Sequence, residues 1–130
     1  MSTRPTPVDP PALPRSPAFA QGMVAPGGPV LYVGGQNGID SSGTVLDGLG
    51  PQTEQALRNV LAVLAEAGTD RDHVVKLTIY LAPGIDAAAA YAATGSVWGN
   101  GRTAVSVLAV APARPGALVE IEAIATVPGS

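Results

Sequence analysis

The sequence predicts an α+β fold: a mixed β-sheet with two helices packed on one face, ordered β-β-(β)-α-β-α-β-β along 130 residues. Three observations carry that expectation. Residues 51–67 repeat apolar side chains at helical spacing, residues 86–98 form an alanine-rich helical stretch, and the rest is short apolar runs bounded by glycine, proline and aspartate. Strands interleaved with two helices fold as a sheet with its helices layered on one side.

Eight of the 13 prolines fall within the first 29 residues. Each one fixes φ and removes an amide donor, so residues 1–14 are expected as an extended or disordered arm, followed by a single domain over 15–130. Runs at 23–25 and 30–33 flank Pro26-Gly27-Gly28-Pro29 and read as a β-hairpin whose second strand ends at Gly34-Gly35. After a turn at Asp40-Ser41-Ser42-Gly43, residues 44–46 can add a short strand. The first helix has Pro51 at its start, a Glu54/Arg58 pair one turn apart, an apolar stripe of Leu57, Val60, Leu61 and Leu64, and Gly68 as its stop. Residues 74–81 alternate Val75, Leu77, Ile79 and Leu81 against Val74, Lys76, Thr78 and Tyr80, the pattern of a mostly buried strand. Asp86 caps the second helix, which runs to Trp98, a core residue. Strands over 103–110 and 118–127, joined by the turn-rich 112–116, complete the order.

Composition narrows the function. With no cysteine and one histidine, disulfides, thiolate chemistry and Cys/His zinc sites are excluded by inventory. No stretch reads as a signal peptide or a membrane span, which leaves a cytoplasmic protein as the simplest expectation. Seven basic residues stand against ten acidic ones, a net charge of −3, and the basic residues are scattered. Nucleic-acid binding depends on clustered Lys and Arg, so it is not expected. The strands show apolar residues on both faces while the helices cover one, and self-association is the expected remedy.

The C-terminal third holds the charges that need explaining. Arg102 opens a run that is uncharged from Thr103 to Ala111, and Glu120 and Glu122 stand two apart inside another strand, on one face. Half-buried charges need partners. Arg102 either snorkels to solvent, pairs with Glu120 or Glu122, or grips a ligand, a planar fork being suited to a carboxylate. His73, beside Asp70 and Asp72, reads as a solvated histidine at a strand end, no nucleophile elbow being present, and Gly48-Leu49-Gly50 reads as a plain loop.

Gly101-Arg102-Thr103-Ala104-Val105-Ser106-Val107, followed by Leu118-Val119-Glu120-Ile121-Glu122-Ala123-Ile124-Ala125, resembles the signature end of the Rid family, the reactive intermediate deaminases of YjgF type. Leu31-Tyr32-Val33-Gly34-Gly35-Gln36, the 52–68 segment and 74–81 match that family's layout in order, so the resemblance spans residues 16–127. It implies a chorismate-mutase-like fold, a homotrimer with clefts between subunits, and hydrolysis of enamine or imine intermediates to 2-keto acids and ammonia without a cofactor. In that scheme Arg102 binds the carboxylate of a small imino or keto acid, Glu120 orients water, and Phe19, Gly34, Gly35 and Tyr91 line the cleft. The alternatives are a non-catalytic trimer that binds small carboxylates and, disfavoured by charge, an endoribonuclease. The chain departs from the family at four points: Ala18-Phe19-Ala20-Gln21 stands for Pro-Tyr-Ser-Gln, Gly34 for a serine, Tyr91 or Ala92 for an asparagine, and Asn100-Gly101 for Pro-Ala.

Overall fold

The computed structural model of the chain describes residues 4–99 and 101–128, which leaves residues 1–3 of the expected arm outside the described residues. Its elements are β1 (Thr6–Val8), β2 (Gly22–Val24), β3 (Val30–Asn37), α1 (Leu49–Glu66), a 3₁₀ turn (Arg71–His73), β4 (Val74–Leu81), α2 (Ala87–Trp98), β5 (Ala104–Ala109) and β6 (Val119–Thr126). The main sheet has the order β3-β6-β4-β5. Strand β6 runs antiparallel to β3 and β4, whereas β5 runs parallel to β4, which makes the sheet mixed as expected.

The alternation that marked residues 74–81 as a strand is what buries Leu77 and Leu81 against the helices. On β6 the same period buries Val119, Ile121, Ala123 and Ala125 and turns Glu120, Glu122 and Ile124 to the opposite face. Helix α1 seals the core with Ala56, Leu57, Val60 and Leu64. Truncating so well packed a side chain as Leu57 to alanine costs about 2–5 kcal/mol. Asp86 caps α2, its carboxylate accepting from the amide of Ala88 at 3.0 Å. Helix α2 lies against α1, and its run of alanines leaves a cavity of about 360 Å³ between it and strands β4 and β5.

Several expectations are corrected. Strand β2 forms no hairpin with β3; it pairs with β1, Thr6 opposite Val24 and Val8 opposite Gly22, while β3 pairs with β6. Part of the segment expected as an arm is therefore a strand, and Pro7 is tolerated there because the ribbon has only two strands. Residues 44–46 make no strand, only a single bridge between Val45 and Ile39. Gly34-Gly35 does not end β3, which continues to Asn37 through an irregularity between Val33 and Gln36. Helix α1 begins at Leu49, with Pro51 inside its first turn, and Glu54 accepts from the Ser96 hydroxyl at 2.9 Å. His73 is buried and bonded to Asp70 at 2.7 Å, because the 3₁₀ turn brings it to the end of β6, where the Thr126 hydroxyl donates to its carbonyl.

The sheet face away from the helices is also less apolar than expected. Registered pairs place Lys76, Thr78, Tyr80, Ser106, Glu120 and Glu122 on it, among Tyr32, Leu108 and Ile124. Tyr80 donates to Glu122, and Lys76 donates to Ser106 at 2.6 Å. Tyr32 is 74% exposed.

Candidate functional site

The residues singled out by sequence divide between the two ends of the sheet. Ala104 stands opposite Lys76, and Glu120 opposite Tyr80, so four residues of β4 separate those levels and Arg102 lies two residues farther still. At about 3.3 Å per residue, Arg102 and Glu120 are roughly 20 Å apart along the strands. One chain does not bring them together, and the expected alternative partner of Arg102, Glu120 or Glu122, is ruled out as well.

Arg102 has a different partner. Its Nη2 donates to Asp9 Oδ1 at 2.7 Å and its Nη1 to Asp9 Oδ2 at 3.0 Å, a two-point fork on one carboxylate. Nε donates to the carbonyl of Ser16 and Nη2 also to that of Phe19, each at 3.0 Å. The two side chains are only 18% and 10% exposed. The hydrogen bond from Arg102 holds the Asp9 carboxyl below the usual carboxylate range, and Asp9 in turn raises the guanidinium. Arg15 approaches the same carboxylate at 3.6 Å from the solvent side.

The neighbourhood of Arg102 is strongly basic. A hollow of about 170 Å³ beside it is lined by Arg4, Pro7, Met23, Arg71 and Asp72 among others, with Arg4 paired to Asp72 at 3.4 Å. Arg71 lies across Gly101, where a side chain would collide with its guanidinium. Glycine at 101 thus makes room for Arg71, a physical reason for one departure from the family pattern.

At the other end, the Glu120 carboxylate lies directly over Gly35, and any β-carbon there would strike it. The close approach lies at the irregularity in β3 between Val33 and Gln36, and it brings Gly35 to Glu120. Asn37, opposite Glu120 in register, donates to Glu120 Oε1 at 3.4 Å and to the Val119 carbonyl at 3.3 Å. Asn59 of α1 donates to the carbonyls of Asn37 and Ile39 and is itself held by Gln55 at 2.9 Å, so an amide chain ties the helix to the strand that carries Asn37. Nearby, Glu122 raises Tyr80 above its ordinary value by accepting its hydroxyl proton, with burial and the charge of Glu120 adding to the effect.

Phe19 and Tyr91 meet at the cavity between α2 and β4–β5, along with Trp98, Leu77 and Val105. The threonine hydroxyls on its wall are bonded within the protein: Thr53 to the Leu49 carbonyl, Thr94 to that of Tyr91 and Thr103 to that of Val74. This cavity therefore offers apolar surface. Among the described residues no three His, Asp or Glu side chains gather where they could hold a metal ion. Sequence reasoning missed Asp9 and Asn37. Asp9 is the one acidic residue before position 40, which is the signal that could have found it; for Asn37 the signal is its place directly after the Gly-Gly-Gln run.

Comparison with known proteins agrees with this architecture. A family profile described as endoribonuclease L-PSP matches residues 12–127. The fission yeast protein mmf1, mitochondrial, of Schizosaccharomyces pombe is 36% identical over 96% of this chain and 77% of its own length. The 2-iminobutanoate/2-iminopropanoate deaminase of Mus musculus is 36% identical over 73% of this chain and 72% of its own length. Among solved structures, the conserved Rid-family protein YyfB of Yersinia pestis, of unknown function, superimposes with a TM-score of 0.84 at 28% identity, covering 95% of this chain and 99% of its own.

Proposed function

The chain belongs to the Rid family, and from that premise we propose that it hydrolyses 2-aminoacrylate-type enamines and imines to 2-keto acids and ammonia. The observation that carries this reading is the Arg102 fork: it already holds a carboxylate at two points, braced by two carbonyls, in the arrangement an imino acid needs. The enamine tautomerises to the imine, and water adds to the imine carbon with its proton passing to the carboxylate of Glu120. Glu120 returns that proton to the nitrogen to complete the carbinolamine, whose hydroxyl proton passes to the nitrogen as the C–N bond breaks, giving the keto acid and ammonia. A positioned carboxylate in that role is worth about a hundredfold or more. No step requires a cofactor.

The roughly 20 Å between Arg102 and Glu120 supports a site shared by two copies, with Arg102 from one and Glu120 from its neighbour. A cyclic homotrimer with three such clefts is the assembly we propose. No helix among the described residues is long and apolar enough to cross a membrane, and a cytoplasmic location belongs to the same proposal. The test is a coupled assay in which a pyridoxal-phosphate lyase generates 2-aminoacrylate and keto-acid appearance is timed with and without the protein. Acceleration supports the deaminase, and an unchanged time course overturns it.

Asp9 favours a second reading. A fork already occupied, with Phe19 and Gly34 where the family carries hydroxyls, suits a non-catalytic trimer that binds small carboxylates. Carboxylate binding measured by calorimetry without acceleration of hydrolysis would select it. The ribonuclease reading remains disfavoured by the net charge of −3, and of the arginines gathered at the Arg102 end, Arg102 and Arg4 are already paired with Asp9 and Asp72.

A further inference from the structure

Resting on the reading of Arg102 as a carboxylate fork, we propose that Asp9 is a built-in competitor: it occupies the fork as an intramolecular ligand, and an external carboxylate binds only by displacing it. The geometry is that of a bound ligand, since both Asp9 oxygens take guanidinium donors at 2.7 and 3.0 Å. The other contacts of Arg102 go to the carbonyls of Ser16 and Phe19, so the position of Asp9 is where a second carboxylate would enter. The hollow of about 170 Å³ that Arg102 lines, with Arg4 and Arg71 on its wall, gives a small anion a route to that position.

Asp9 can leave without unfolding the domain. It follows a strand of three residues, Thr6–Val8, all of them exposed, and it precedes Pro10 and Pro11, which have no amide to anchor. The segment is otherwise held by the three-residue pairing of β1 with β2, by Arg4 to Asp72 at 3.4 Å, and by Gln21, whose Nε2 donates to the Pro14 carbonyl at 3.0 Å and whose amide donates to Asp9 Oδ1 at 3.4 Å, among other contacts. None of residues 4–14 belongs to the apolar core formed by α1, β4 and β6.

A tethered carboxylate of this kind acts at an effective concentration in the millimolar range. The apparent affinity for any free carboxylate is reduced by the fraction of time the fork stands open. Asp9 therefore sets specificity: a simple acid at low concentration loses to it, whereas a 2-imino or 2-keto acid that adds contacts beyond its carboxylate displaces it.

The experiment is calorimetric titration of the full chain with 2-oxobutanoate, in the wild type, in Asp9→Asn, and in each background combined with Arg102→Ala. Asp9→Asn is expected to tighten binding about tenfold or more, and Arg102→Ala to abolish binding in both backgrounds. If Asp9→Asn binds no tighter while Arg102→Ala still abolishes binding, the competitor is overturned and the fork stands. If binding survives Arg102→Ala in the Asp9→Asn background, the fork reading fails and the competitor fails with it. A chain shortened to begin at Pro10 serves as the second variant, and the same gain is expected of it; no gain there counts against the proposal equally.

Discussion

The two ends of the sheet hold their charged residues in opposite ways. Arg102 is closed in by four hydrogen bonds to Asp9, Ser16 and Phe19, whereas the Glu120 carboxylate rests over a glycine with one 3.4 Å bond from Asn37. A cation so enclosed supports the fold as well as any ligand. A carboxylate so loosely held is free to accept a proton and to move toward a reacting carbon. Under the proposed reading the contrast separates positioning from chemistry, and the register separates the two residues in space.

That contrast is broken most sharply by substituting each end in turn. Arg102→Ala is expected to lower the specificity constant by roughly a hundredfold or more and also to lower Tm, since Asp9 and two carbonyls lose their donor together. Glu120→Gln is expected to lower kcat by about a hundredfold with Tm unchanged. Turnover assays paired with thermal melts check both. Equal losses of Tm in the two variants would erase the distinction between a supporting and a reacting end.

A smaller effect sharpens the picture at the Glu120 end. In Gly35→Ala the new methyl must push the carboxylate aside, and kcat is expected to fall roughly ten- to a hundredfold while the trimer persists. Unaltered kcat would mean that the position of Glu120 over Gly35 is irrelevant to catalysis.

The smallest effect is electrostatic and belongs to the Arg102 end. The folded-state pKa of Asp9 lies below its ordinary value, chiefly through the hydrogen bond from Arg102, so the stability that pair contributes is fully present above the ordinary carboxylate range. It is lost as pH falls through the depressed value. The Tm difference between wild type and Asp9→Asn should accordingly be constant from neutral pH down to about 5 and shrink in stronger acid. Melts across that range check it, and a difference that grew in acid would contradict the sign.

Local patterns were legible in the sequence. Strand β4 was expected at 74–81 and is found there, with Leu77 and Leu81 of the alternating set buried, and α2 begins where Asp86 can cap it. The motif around Arg102 and Glu120 identified the family from residue types in order. What could not be read was pairing across distance. Strand β1 follows Pro5, contains Pro7 and takes its partner from residues 22–24, so no local period announced it. The Asp9–Arg102 pair spans 93 positions, and a lone aspartate among prolines gives no sign of its partner. His73 was read as solvated because burial by a 3₁₀ turn leaves no trace in its neighbours.

The central claim, one site built from Arg102 of one copy and Glu120 of another, is tested most directly by mixing two inactive variants. Arg102→Ala and Glu120→Gln chains, co-expressed in equal amounts and purified together without separating mixed from uniform trimers, are assayed for imine hydrolysis. If the cleft is shared around a cyclic trimer, random mixing restores intact clefts at about a quarter of the sites, and the mixture should show about a quarter of wild-type activity. Mixed trimers, demonstrated by native mass measurement, that stay as inactive as either parent would contradict the account.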